Sequence, residues 1–132
     1  MNRGTDQARL YLRKAASDER LLDAVLTDTT VGDDVFGFHC QQAAEKLLKA
    51  LLSELRVSFR HTHDLTELMD QLADAGAALP KQFDQLKTLS AYAVEFRYED
   101  VPTGAPLERS AARQMIRELR QFVESKLSLA PP

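Results

Sequence analysis

The stretch FGFHCQQAAEKLLKALL, Phe36 to Leu52, constrains the fold of this 132-residue chain more than any other. Phe36, Cys40, Ala43, Leu47 and Leu51 step by four or three, and Ala44, Leu48 and Leu52 widen that stripe. Such steps gather side chains on one face of a helix with about 3.6 residues per turn. The spacing predicts a helix from about Asp34 to Arg56. It is the most apolar helix of the chain and is expected at the centre of a bundle.

Helical spacing continues on both sides. A first helix is expected over Thr5–Ala16, with Ala8, Tyr11, Leu12 and Ala15 on one face. Ser17, Asp18 and Glu19 suit the start of a short second helix carrying Leu21, Leu22, Val25 and Leu26. Asp64 and Glu67 resemble a capping box before Leu65, Leu68, Met69 and Leu72, in a helix ending near Gly76. Pro80 opens a helix with Phe83, Leu86, Leu89, Tyr92, Ala93 and Phe96 inward. Pro106 opens the last, with Leu107, Ala111, Met115, Leu119, Phe122 and Val123 inward. Five glycines and five prolines are too few for a many-turned β fold, and no run alternates convincingly. The expected architecture is all-α: an up-and-down bundle with a four-helix core and an N-terminal pair alongside. One domain spans 1–132, with a frayed tail at 128–132.

Composition narrows function. A net charge of −3 gives no global attraction to nucleic acid, so such binding needs a local patch. A single cysteine excludes an internal disulfide. The N-terminus lacks the apolar run of a signal peptide, and no segment is long and apolar enough to span a membrane. The expected location is cytoplasmic. Glycine-rich phosphate loops, a GxSxG elbow and paired-cysteine metal motifs are all missing from the sequence.

His39 and Cys40 form an inviting pair, but adjacent helical residues point about 100° apart. Cys40 falls on the apolar stripe, where it acts as a small hydrophobe. A metal site joining His39 and Cys40 to His61 and His63 is rejected, because the helix carries Arg56 about 25 Å from His39. No metal and no cofactor are expected. The polar back of the central helix holds Gln41, Gln42, Glu45, Lys46 and Lys49, with Glu45 and Lys49 at a favourable four-residue spacing. Polar groups on a central helix must meet partners. An antiparallel topology gathers Arg60, His61, His63, Asp64, Arg97 and Tyr98 at one pole, a place suited to phosphate. Arg109, Arg113, Arg117 and Arg120 make a basic stripe on the last helix. Acidic residues on an adjacent helix are the expected compensators; a nucleic-acid backbone or an acidic protein surface is the sharper alternative.

Three strings in order, FGFHCQQAAEKLLKALL, THDLTELMDQL and AYAVEFRYEDV, resemble the HEPN domain family (higher eukaryotes and prokaryotes nucleotide-binding). Members look like FHAQQAAEKALKALL followed by THDL and an ARYP-like segment, and the resemblance covers roughly residues 5–127. It implies the same helical bundle, dimers in many cases, and a minimal nucleotidyltransferase as partner, often in a toxin–antitoxin pair. Some members are metal-independent ribonucleases using an Arg and a His four to six residues apart near the C-terminal helices; others bind nucleotides or RNA without catalysis. Arg97 lies in the matching RY segment, but no histidine follows it. Arg56 with His61 or His63 has the right gap in the wrong place. The resemblance therefore implies a binding module, with Gln42, Glu45, Lys46, Lys49, His63, Asp64, Arg97 and Tyr98 as contacts for a nucleotide or RNA. The alternatives are a ribonuclease toxin acting through Arg56 or Arg97 with His61 or His63, and a module docking through its arginine stripe.

Overall fold

The structure, a computed structural model, describes residues 3–60, 62–93 and 107–127. Its elements are α1 (Arg3–Val25), α2 (Asp33–Glu54), α3 (Leu65–Asp74), a 3-10 helix (Lys81–Tyr92) and α4 (Arg109–Lys126). The described residues form an all-α bundle around α2, as the apolar pattern requires. Phe36, Cys40, Ala43, Ala44, Leu47, Leu48 and Leu52 are fully buried, and every other described element packs against this helix.

Two expected elements differ. The N-terminal pair is one unbroken α1, because Asp18 and Glu19 are not capping residues. Both carboxylates are buried and ion-paired to other helices, Asp18 to α2 and Glu19 to α4. The segment after Pro80 is a 3-10 helix, whose turn of about three residues eclipses positions i and i+3. Phe83, Leu86, Leu89 and Tyr92 fall at that interval, and all are buried. Phe96, Pro106 and the 128–132 tail lie outside the described residues.

The course of the chain also departs from a plain up-and-down order. After α2 the chain turns back along that helix. Phe59 reaches Lys49 and His63 reaches Glu45. Thus α3 starts beside the middle of α2 and runs parallel to it, with Gln71 returning to the carbonyl of Ser58 (3.3 Å). Asp64 caps α3 by accepting from Thr66 N (2.9 Å), while Glu67 pairs with Arg60 instead of closing a capping box. Ser90 Oγ accepts from Leu65 N (3.2 Å), which brings the end of the 3-10 helix to the same place. There Tyr92 lies over Gly37, where any Cβ would run into its ring.

Candidate functional site

Glu45 is the hub of the polar face of α2. Its Oε1 accepts from Gln41 Nε2 (3.0 Å) and lies 2.8 Å from His63 Nδ1; its Oε2 accepts from Lys49 Nζ (2.9 Å). Gln41 also donates to the His63 carbonyl (2.9 Å) and accepts from Gln42 Nε2 (2.8 Å). Burial alone would push the Glu45 carboxyl up, but the bonds from Lys49, His63 and Gln41 outweigh it and hold the carboxyl below its usual range. An ionised carboxylate only accepts, so Nδ1 of His63 carries the proton and Nε2 is left as the open nitrogen. The His63 side chain is 66% exposed while those of Glu45 and Lys49 are 7% exposed. The result is an outward imidazole held from behind by a buried carboxylate.

A second carboxylate repeats the pattern further along α2. Asp18 of α1 lies 2.9 Å from His39 Nδ1 and accepts from Lys46 Nζ at 2.6 Å. Sequence spacing gave no hint of Asp18, since 28 residues separate it from Lys46. Cys40 is fully buried, and burial pushes its thiol up to about 12, so it stays protonated.

Of the expected contacts, Gln42, Glu45, Lys49 and His63 come together, with Asp64 next in chain. Glu45 and Lys49 lie inside the network rather than on its surface, and Phe59 stands 5.7 Å from the Lys49 ammonium. Lys46 belongs to the neighbouring Asp18 cluster. The expected pole is corrected: His63 sits beside Glu45, eleven residues before Arg56. His63 therefore lies beside the middle of α2 and not at its end. The same return undoes the distance argument that set His39 and His63 at opposite ends. Among the described residues no group of three or more His, Cys, Asp or Glu side chains could hold a metal ion. His61, Arg97 and Tyr98 lie outside the described residues.

The arginine stripe proves to be an internal seam, which corrects its use as an outward docking face. Arg109 donates to Asp33 (3.0 Å) and to the carbonyls of Val25, Asp28 and Val31. Arg113 grips Asp23 through Nε (2.6 Å) and Nη2 (3.2 Å) and reaches Glu19 (3.4 Å). Arg120 bonds Glu19 (2.8 Å) and the Leu12 carbonyl (2.8 Å), and Arg117 stands 3.7 Å from Asp23. The hydrogen bond from Arg113 holds Asp23 below the usual carboxylate range and raises Arg113 in turn.

A helical bundle whose central helix carries a Gln-Gln-x-x-Glu-Lys polar face, joined to a THDL cap, defines a class of small all-α domain. The chain belongs to the HEPN domain family, whose model matches residues 8–129, nearly its whole length. No curated protein and no solved structure matches the chain. Among the described residues no helix is long and apolar enough to cross a membrane.

Proposed function

We propose that this chain is the nucleotide- or RNA-binding member of a cytoplasmic toxin–antitoxin-like pair, working as a homodimer with a minimal nucleotidyltransferase. The observation that carries the binding role is the His63–Glu45 pair. It presents an imidazole nitrogen to solvent in a fixed direction, next to the capped start of α3. Family membership supports a nucleotide-binding or ribonuclease-like role in general, and the resemblance of the three strings supports the partner. Binding is tested by titrating labelled single-stranded RNA and mononucleotides at low salt against wild type and His63→Ala. Tenfold weaker binding by the variant is expected, and equal binding rejects the site. Co-expression and co-purification with a minimal nucleotidyltransferase from a neighbouring reading frame supports the partnership, and absence of such a frame or failure to co-purify rejects it.

The same pair favours one second reading. A histidine oriented by a carboxylate is equipped for acid–base work on a phosphodiester. Cleavage of cellular RNA in the presence of a chelator, lost in His63→Ala, would replace the binding role with a ribonuclease role.

A further inference from the structure

Phe38 is the odd member of the polar row on α2. It precedes Gln41, Gln42, Glu45 and Lys49 by three, four, seven and eleven residues, so the five share one face of the helix. Phe36, two residues earlier, is fully buried, whereas Phe38 is half-buried. Its ring stands 5.2 Å from the His39 imidazole, at 82° to it. Asp18 holds that imidazole from behind (2.9 Å) and holds Lys46 as well. A partly open aromatic ring is thus braced by a side chain that a buried carboxylate fixes.

The amide one turn further on is oriented too. Gln41 Nε2 has two acceptors, Glu45 Oε1 (3.0 Å) and the His63 carbonyl (2.9 Å), so its oxygen is turned toward Gln42. Gln42 must then offer Nε2 to that oxygen (2.8 Å), which turns its own carbonyl away from Gln41. Gln42 is half-buried like Phe38, so ring and amide both reach the surface. Phe38 lies one to two turns, about 5–10 Å along α2, from Gln41 and Glu45, the residues that hold His63. That is the scale of a single nucleotide.

We infer that Phe38 and Gln42 form a nucleobase subsite, with the base stacked on the Phe38 ring and its edge donating to the Gln42 carbonyl. The sugar and phosphate then lie toward His63. Every base has a π face for an aromatic ring, and a fixed amide reads the donors on a base edge. The inference rests on the binding role proposed for His63 and adds what that site recognises: a base, from a free nucleotide or a single strand of RNA.

The test measures binding of adenosine 5′-monophosphate, ribose 5-phosphate and a short single-stranded oligoadenylate to the full-length protein at low salt. Phe38→Leu keeps an apolar side chain but removes the aromatic face. It should weaken both base-bearing ligands about tenfold, the worth of one stacked base, and leave ribose 5-phosphate unchanged. Phe38→Trp should bind like wild type, and Gln42→Leu should weaken the base-bearing ligands severalfold. A 2-aminopurine in the oligonucleotide, whose fluorescence falls on stacking, should be quenched by wild type and Phe38→Trp but not by Phe38→Leu. Tighter binding of oligoadenylate than of the mononucleotide identifies an RNA strand, and equal affinity identifies the free nucleotide. Wild-type affinity and quenching in Phe38→Leu, or equal weakening of ribose 5-phosphate by that variant, overturns the inference. His63→Ala should weaken all three ligands. If it binds like wild type while Phe38→Leu still separates base-bearing from baseless ligands, the His63 role fails and the subsite stands; if no ligand binds wild type, both fail.

Discussion

The seam between α1 and α4 and the polar face of α2 are built from the same charged residue types, and they differ in what is left over. In the seam Arg109, Arg113 and Arg120 each meet several acceptors, and Arg113 with Glu19 is almost wholly buried, at 8% and 7% side-chain exposure. On α2 the buried pair of Glu45 and Lys49 supports a third member, His63, that looks outward. Closure marks a structural device; an open donor or acceptor held by buried neighbours marks a candidate site. The contrast is physical, because a buried ion must be compensated whatever its role, whereas folding does not require the exposed imidazole.

The contrast breaks first, and hardest, at the seam. Arg113→Ala leaves Glu19 buried with only Arg120 and removes the two-pronged grip on Asp23. A loss of about 3 kcal/mol is expected in urea unfolding, in the range for stripping one partner from a buried pair. RNA binding by the folded fraction should not change. If it falls as stability falls, the seam is more than structural.

Glu45→Gln comes next. It keeps the shape of the side chain but leaves the Lys49 ammonium without its carboxylate, at a cost of about 2 kcal/mol. This substitution should lower both stability and RNA affinity, because the amide no longer fixes the His63 tautomer. A variant that loses stability but binds RNA like wild type would reduce the α2 face to a second seam.

Acid should reach both regions together. Glu45 and Asp23 have lowered pKa values in the fold, against ordinary values of 4.5 and 3.8. Below those values the unfolded chain binds more protons than the folded one, so stability rises with pH in that window. Their contribution is therefore complete above about pH 5 and is lost as pH falls toward the lowered folded values. The Glu45→Gln and Arg113→Ala proteins should show a shallower loss of stability between about pH 5 and 3 than wild type.

The sequence carried the α2 stripe, the buried Cys40 and the Glu45–Lys49 pair, since each depends on spacing within one helix. It misled where a residue's role depends on a distant partner. Asp18 and Glu19 look like a helix start until Lys46 and Arg113 are seen to hold them in mid-helix. His63 looked remote from His39 because the helix rise fixes distances within α2, but nothing local fixes the return of the chain that brings His63 to Glu45. The three-residue interval of Phe83, Leu86, Leu89 and Tyr92 was open to inspection, but it satisfies a broad α-helical stripe almost as well as a 3-10 one.

The smallest effect on stability sharpens the contrast most. Removing His63 deletes a mostly exposed side chain, so His63→Ala should change unfolding free energy by less than about 0.5 kcal/mol. Glu45 keeps Gln41 and Lys49 as partners in the variant, so no buried charge is stranded. The same substitution should weaken RNA or nucleotide binding about tenfold or more, the worth of one hydrogen bond to a charged group. Arg117 is the control in the seam. It is half exposed and 3.7 Å from an equally exposed Asp23, so Arg117→Ala should leave stability nearly unchanged, and RNA binding as well. Paired binding and unfolding curves for the two variants then separate an open site from a solvated charge. If His63→Ala and Arg117→Ala match in both measurements, the outward imidazole of His63 has no role that an ordinary surface residue lacks.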